Sequence, residues 1–159
     1  MDRPSWTQYF MGLAHYVSIR SHDEETKVGC VIVNKNKNVI GMGYNGFPQG
    51  CADDDRPTKR PYKYPYMVHA EENAISNMVY KPYTDQLTAY ITHHPCNSCL
   101  KLLWQNNIYN IVVPEGQKAH AFSHDDRLVF DFLKTNGLQF VEIKFDFSFF
   151  KNDKVLSGV

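Results

Sequence analysis

The order of the apolar segments constrains the fold more than any other feature of this sequence. Two short apolar runs, 28–33 and 39–43, flank the polar stretch 34–38, and this arrangement predicts a β-hairpin. Three further strand patterns lie at 87–92, 111–113 and 138–143, and helical patterns precede and separate them. Strands joined through helices favour parallel pairing with right-handed crossovers. We therefore predict an α/β fold with a mixed five-stranded sheet, formed by the N-terminal hairpin and parallel strands and packed in layers with helices.

The length of the chain predicts one domain. Its 159 residues are close to the usual domain size of about 100–150 residues, so we expect a single core over 1–159. An amphipathic helix is predicted at 6–20, ahead of the hairpin. The region 46–65 lacks a sustained period and is predicted to be a long loop. The segment 144–159 is a phenylalanine-rich tail, which we expect to pack on the body or on another subunit.

The charge balance excludes several classes of partner. The sequence contains 17 Lys and Arg residues and 17 Asp and Glu residues, so no net positive field attracts a long polyanion such as a nucleic acid. No apolar run approaches the roughly 20 residues of a membrane span, and the polar start lacks the apolar centre of a secretory signal. We therefore expect a cytoplasmic protein that acts on a small molecule, with no nucleic-acid and no membrane partner.

A group of metal-binding residue types follows the long loop. His69-Ala-Glu71 stands at the predicted start of one helix, and Pro95-Cys96-Asn-Ser-Cys99 stands at the start of the next. One imidazole and two thiolates are the three protein ligands that a catalytic zinc keeps when its fourth position is left for water. The positive end of a helix dipole lowers the pKa of a thiol and favours the thiolate that binds metal. We predict one zinc ion per chain, bound by His69, Cys96 and Cys99.

Glu71 is the predicted catalytic acid and base. It follows His69 by two residues, close enough to reach a water at the metal without being a ligand. Zinc lowers the pKa of water from 15.7 to roughly 7, which supplies a nucleophile near neutral pH. Hydrolysis of an amino-substituted pyrimidine also needs a proton on the ring nitrogen and then on the departing amine. One well-positioned carboxylate can serve both steps.

The two motifs together are far more specific than either alone. A lone C-x-x-C is shared by thiol redox sites and structural zinc ribbons, whereas H-x-E followed by P-C-x-x-C is the signature of zinc nucleobase deaminases. The alternative from a different class is a noncatalytic zinc module in which His93 or His94 adds a ligand. That alternative leaves Glu71 without a role.

Further motifs surround the metal-binding residues. They are Arg20-Ser21 upstream of Lys27-Val-Gly29, Gly43-Tyr-Asn-Gly-Phe-Pro48, Gly50-Cys-Ala-Asp-Asp54 and Lys63-Tyr-Pro-Tyr66. With them, nearly the whole chain resembles the deoxycytidylate deaminases of the cytidine deaminase superfamily. The resemblance implies a three-layer cytidine-deaminase-like fold and hydrolysis of dCMP to dUMP and ammonia, which feeds thymidylate synthesis. It also implies a homo-oligomer, commonly a hexamer.

The resemblance also implies residues that bind the nucleotide. Asn45 matches the family asparagine that hydrogen-bonds the sugar hydroxyl, and an amide can both donate and accept. Arg20, Lys27 and Lys118 are candidates for the 5′-phosphate, because cations form charge-assisted bonds with phosphate oxygens. Lys118 lies where some relatives have a basic phosphate contact, but the run 116–120 departs from the aromatic-basic pair of those relatives.

Many members of the resembled family are regulated by nucleoside triphosphates. The resemblance implies activation by dCTP and inhibition by dTTP, with Mg²⁺ accompanying the triphosphate. It associates Gly43, Tyr44 and Gly46 with the effector, although a strand that ends on glycines would explain the same pattern. The acidic residues 53–55 are candidates for the magnesium–triphosphate pair.

Other enzymes share the zinc signature. The alternatives are a free cytidine deaminase, a tRNA adenosine deaminase and a deaminase of a pterin or flavin precursor. A tRNA substrate favours a basic protein face, which the balanced charge of this chain does not predict. A basic phosphate pocket would separate a dCMP enzyme from a cytidine enzyme.

Overall fold

The elements follow the predicted order. The computed structural model describes residues 3–54, 56–84, 86–117 and 123–146. Within these ranges the elements are α1 (Trp6–Ser18), β1 (Gly29–Val33), β2 (Val39–Tyr44), α2 (Ala70–Ser76), β3 (Thr88–Ile91), α3 (Asn97–Gln105), β4 (Asn110–Pro114), α4 (His124–Thr135) and β5 (Gln139–Ile143). Each predicted helix and strand is confirmed, with ends that shift by a few residues.

The five strands form one mixed sheet in the order β2-β1-β3-β4-β5. β1 pairs antiparallel with β2 and with β3, whereas β3, β4 and β5 pair parallel to one another. The hairpin that was predicted from two apolar runs is therefore joined to the parallel strands through β1. This arrangement confirms the predicted mixed sheet.

Helices cover both faces of the sheet, and β1 is buried along its whole length as a result. Because strand side chains alternate between faces, Val31 packs with Phe10 and Met11 of α1, whereas Ile32 packs in the other cluster of core residues. That second cluster contains buried apolar side chains from α2, α3 and α4. The predicted three-layer packing is confirmed.

The long loop and the described part of the C-terminal tail lie outside the regular helices and strands. Among the described residues of 46–65 there is no helix or strand, and Gly46 forms a single bridge pair with Val68. In the tail, Phe145 packs against the α1 side of the core, while residues 147–159 lie outside the described ranges. Across the described residues, no helix has the length and apolar character that crossing a membrane requires.

Candidate active site

The predicted zinc ligands meet where two helices begin. His69 immediately precedes α2, Cys96 immediately precedes α3, and Cys99 lies in the first turn of α3. The backbone N–H of Cys99 donates to Cys96 Sγ at 3.5 Å, so the thiol caps the helix that contains the second thiol. Nδ1 of His69 lies 3.6 Å from Cys96 Sγ and 3.3 Å from Cys99 Sγ. Residues separated in the sequence are thereby brought into one cluster.

The chemistry and spacing of the three donors fit zinc. Their ligand atoms all lie within 4.8 Å of one another. In a tetrahedral site with ordinary Zn–N and Zn–S bonds, a nitrogen and a sulfur ligand are about 3.5 Å apart, close to the observed separations. His69 is exposed whereas Cys99 is buried, so the cluster has one open side. Three ligands and an open side are the arrangement of a catalytic metal site.

The protonation of the cluster favours a bound cation. Hydrogen bonding with Cys99, and then with His69, lowers the pKa of Cys96 to about 4 although burial opposes the shift. Cys96 is therefore a thiolate at neutral pH, which is the form that binds metal. The hydrogen bond with Cys96 raises the pKa of His69 to about 9 against the effect of burial. At neutral pH the Cys96 thiolate therefore pairs with a protonated His69, and a cation that binds both donors would displace the imidazole proton.

Glu71 lies on the first turn of α2, beside the cluster and almost fully buried at 4% exposure. Burial raises the pKa of this carboxyl above its ordinary value, and the nearby His69 opposes the rise. A carboxyl with a raised pKa exchanges protons more readily near neutral pH, as a group that both accepts and donates a proton must. Glu71 is not one of the three donors of the cluster.

The cluster forms part of the wall of a cavity of about 350 Å³, which we call the site cavity. Residues that follow β2, β3 and β4 contribute to its wall, as does the long loop. Its lining includes Asn45, Arg60, His69, Glu71, Cys96 and Gln117. The carboxyl ends of the adjacent parallel strands β3 and β4 thus point toward a pocket of the size used by small molecules.

A family model described as the cytidine and deoxycytidylate deaminase zinc-binding region matches residues 4–115. The chain belongs to this family. The deoxycytidylate deaminase of Pongo abelii is 41% identical over 150 residues, which cover 88% of this chain and 82% of the relative. The Homo sapiens deoxycytidylate deaminase is 41% identical over 119 residues, which cover 70% of this chain and 65% of the relative.

Solved structures support the same assignment. A crystal structure of the dCMP deaminase from the cyanophage S-TIM5, in complex with dCMP and dUMP, matches with a TM-score of 0.66 and 25% identity. The match covers 90% of this chain and 100% of that chain. The predicted cytidine-deaminase-like fold is confirmed. The predicted enzyme class is confirmed as well, and the chain is a hydrolytic deaminase.

In this deaminase, Asn45 lines the site cavity with most of its hydrogen-bonding capacity already used. Its Oδ1 accepts from the backbone N–H of Val28 at 2.8 Å. Its Nδ2 donates to the carbonyl of Thr26 at 2.9 Å and to Asp23 Oδ2 at 3.3 Å. Because both amide hydrogens have partners, the side chain can offer the cavity only an acceptor. The sequence suggested that this amide both donates and accepts, and the observed contacts narrow that expectation.

The three predicted phosphate contacts lie in different environments. Arg20 is exposed and lines a second cavity rather than the site cavity. Lys27 is exposed and its neighbours Thr26 and Val28, rather than Lys27 itself, line the site cavity. Lys118 lies outside the described residues, directly after Gln117 of the cavity wall.

Two basic residues of the cavity wall were missed by sequence reasoning. Arg60 lines the site cavity, and its Nη2 donates to Thr26 Oγ1 at 2.7 Å. Lys63, which stood in a quoted motif without an assigned role, is buried and pairs with Asp23. Burial raises the pKa of Asp23, but hydrogen bonds from Lys63 and from two backbone amides outweigh burial and hold it below its ordinary value. The buried positive charge is therefore fully paired, whereas Arg60 is an exposed cation of the wall.

The predicted effector residues line the second cavity, whose volume is about 850 Å³. Gly43, Tyr44 and Gly46 all contribute to it, together with Arg20 and Phe47. Gly43 also has a packing role, because a Cβ there would lie 2.7 Å from the carbonyl oxygen of Ala70 in α2. Of the acidic residues 53–55, Asp53 lines this cavity, Asp54 is exposed and Asp55 lies outside the described residues.

Proposed function

We propose that this deaminase hydrolyses dCMP to dUMP and ammonia, and so supplies dUMP for thymidylate synthesis. The observation that carries the proposal is the composition of one cavity wall. It combines His69 and Cys96 of the donor set and the buried Glu71 with a neutral acceptor and an exposed cation. The named relatives, which are deoxycytidylate deaminases, support the same substrate.

The donor set would hold one zinc ion per chain. Zinc supplies a nucleophile near neutral pH, because it lowers the pKa of water from 15.7 to roughly 7. In the proposed reaction Glu71 accepts a proton from the attacking water and delivers it to the ring nitrogen N3. Glu71 then passes the second proton to the exocyclic amine. A carbon–oxygen bond forms at C4, the carbon–nitrogen bond breaks, and ammonia leaves.

The burial of Glu71 suits this double role. A carboxyl whose pKa lies near the working pH is a better general acid than an ordinary carboxyl, and it remains a usable base. Burial is the main cause that raises the pKa of Glu71, and the rise brings this pKa closer to the working pH. Glu71 lies in the first turn of α2, which begins directly after His69. Its carboxyl is therefore near the donor set without being one of the ligands.

The polar groups of the cavity wall support a nucleotide rather than a free base. Asn45 Oδ1 offers an acceptor to a sugar hydroxyl, which agrees with the role that the family resemblance implies for this asparagine. We assign the 5′-phosphate to Arg60 together with Lys118, which directly follows the cavity residue Gln117. Arg20 and Lys27 are the weaker candidates, because neither lines the site cavity. A guanidinium suits a phosphate because it can donate two parallel hydrogen bonds.

Turnover of dCMP and of cytidine by the zinc-loaded protein tests the substrate. We expect a kcat/KM for dCMP that is larger by two orders of magnitude or more, since charge-assisted contacts contribute about 1.5–3 kcal/mol each. Equal values would contradict the nucleotide assignment and favour a free cytidine deaminase. If the enzyme turned over neither dCMP nor cytidine, the proposed substrate would be wrong and the other substrates of zinc deaminases would be favoured.

Regulation is a separate part of the proposal. The second cavity contains Gly43, Tyr44 and Gly46, and Arg20 adds a cation that can contact a triphosphate. We propose that dCTP activates and dTTP inhibits through this cavity, with Mg²⁺ and Asp53 beside the triphosphate. The measurement is the dCMP saturation curve with dCTP plus Mg²⁺, with dTTP, and with neither. Superimposable curves would contradict the regulatory proposal and leave the catalytic one intact.

We also propose a cytoplasmic homohexamer. Large apolar side chains on α1 and directly after it, among them Tyr9, Tyr16 and Ile19, are exposed and could be covered by another subunit. Light scattering coupled to size exclusion measures the assembly directly. A mass of one chain at micromolar concentration would contradict this proposal.

A further inference from the structure

A buried ion pair lies in the wall of the site cavity. Lys63 is 3% exposed and Asp23 is 2% exposed, and both line the cavity. Lys63 Nζ donates to Asp23 Oδ2 at 2.7 Å and to Oδ1 at 2.8 Å, and it lies 3.2 Å from Glu25 Oε2. Buried ion pairs contribute little net stability, because desolvation offsets their attraction. Fold stability alone is therefore a weak explanation for this pair.

The carboxylate of Asp23 connects the ion pair to Asn45. Asp23 Oδ1 also accepts from the backbone N–H groups of Glu25 and Thr26, at 2.8 and 2.9 Å. Asp23 Oδ2 accepts from Asn45 Nδ2 at 3.3 Å. The amide of Asn45 is thus held by a carboxylate that is itself fixed by a buried lysine and by the backbone.

These contacts determine which way the Asn45 amide points. In the observed orientation its NH₂ group faces two acceptors, Asp23 Oδ2 and the carbonyl of Thr26, while its Oδ1 faces the N–H of Val28. A flipped amide would put two acceptors against its oxygen and a donor against its NH₂ group. The flipped state would leave buried polar groups unpaired and is excluded by that cost.

We propose that Asp23, held by Lys63, is a positioning residue that locks Asn45 as a hydrogen-bond acceptor and makes the cavity select a ligand with a hydroxyl donor on its sugar. This inference rests on the proposed function, in which Asn45 contacts the sugar hydroxyl of dCMP. It adds a direction to that contact, in which the hydroxyl donates and Oδ1 accepts. It also gives the long loop, which contains Lys63, a role in substrate selection.

The test compares dCMP with 2′,3′-dideoxycytidine 5′-monophosphate, which differs only by lacking the 3′-hydroxyl. For the zinc-loaded wild-type enzyme we expect kcat/KM to favour dCMP by about tenfold, the value of one buried hydrogen bond. In Asp23→Asn the buried lysine loses its carboxylate, and the amide of Asn45 faces a neutral amide in place of the charged acceptor that Lys63 fixes. We expect the preference to fall toward unity, mainly through a higher KM for dCMP.

One control variant and one double variant separate positioning from general damage. Glu24→Gln changes the adjacent exposed carboxylate, which accepts from Thr58 Oγ1 at 2.6 Å and does not line the cavity, and it should keep the preference. If Asp23→Asn does not fold, the double variant Asp23→Asn/Lys63→Met removes both buried charges together. It should also lose the preference, because Asn45 Nδ2 then lacks the carboxylate acceptor that Lys63 holds in place.

The possible results separate this inference from the proposed sugar contact on which it rests. Loss of the preference in Asn45→Ala and in the Asp23 variants supports the inference. Loss in Asn45→Ala with retention in the Asp23 variants overturns the positioning role and leaves the sugar contact intact. Retention in Asn45→Ala overturns the sugar contact, and the inference with it. Equal losses of turnover on both nucleotides would make Asp23 a purely structural residue.

Discussion

Arg60 is the residue to which we assign the 5′-phosphate, because it is an exposed cation in the wall of the site cavity. We expect Arg60→Ala to raise the KM for dCMP about tenfold, the effect of losing one charge-assisted contact, with little change in kcat. Turnover of cytidine, which lacks the phosphate, should change little. The matched control is Arg20→Ala, because Arg20 is also an exposed arginine but lines the second cavity. Equal effects of the two variants on the KM for dCMP would contradict the assignment of Arg60.

The sequence predicted the candidate metal ligands but missed Arg60, the candidate phosphate contact. His69 lies in a short motif at the start of α2, and Cys96 and Cys99 lie in another at the start of α3. Local spacing identifies these residues as donors, although the meeting of the two helix starts depends on the fold. Arg60 belongs to a loop without periodicity, and its approach to the cavity depends on a contact with Thr26, 34 positions away. No local pattern encodes such a contact. The pairing of Lys63 with Asp23 was missed for the same reason.

At the scale of elements, the approach of α2 to β2 positions His69 and Glu71. A Cβ on Gly43 would lie 2.7 Å from the carbonyl oxygen of Ala70 and from the carbonyl carbon of Asn73, both in the backbone of α2. We expect Gly43→Ala to displace the helix that follows His69 and to lower the free energy of unfolding by about 1–3 kcal/mol. Turnover of dCMP should fall as well. Urea denaturation and kinetics measure the two effects.

Gly46 provides the matched control for this packing argument. A Cβ at Gly46 would lie 3.5 Å from the nearest atom, a ring carbon of His22, which is an ordinary contact. Gly46→Ala should therefore leave stability and basal turnover close to wild type, although the residue lines the second cavity. Equal destabilisation by the two substitutions would contradict the close approach of α2 at Gly43.

The elements themselves were largely readable from the sequence. Helices and strands of this chain have clear periodicity, and polar or glycine-containing stretches separate them. The pairing of β1 with β3 is different, because it joins residues about 60 positions apart through backbone hydrogen bonds. Handedness and pairing rules predicted a mixed sheet, but only the folded chain shows that β1 is the hairpin strand that pairs with the parallel half.

At the scale of the whole molecule, His15 links folding stability to pH. It lies on α1 and stacks on Phe145, with ring centroids 4.9 Å apart. Burial, with a smaller effect from His93, lowers the pKa of His15 from 6.5 to about 4. Between these values the unfolded chain binds the proton more tightly, so stability is full above pH 6.5 and is lost as the pH falls toward 4.

We expect this loss to reach about 2 kcal/mol between pH 7 and pH 5. His15→Gln removes the titrating group, so its free energy of unfolding should depend less on pH over this interval. His124→Gln removes an exposed histidine at the start of α4 and serves as the control. Urea denaturation at several pH values gives the comparison. Parallel curves for wild type and His15→Gln would contradict the link.

The central claim is that one donor set holds the metal while Glu71 moves the protons. The most direct measurement is the zinc content and the dCMP turnover of Glu71→Gln, which keeps the size of the side chain but removes its acid–base chemistry. Since Glu71 is not a ligand, zinc should remain at about one per chain, while kcat should fall by about 10²–10⁴ or more. Wild-type turnover by the zinc-loaded Glu71→Gln enzyme would contradict the claim.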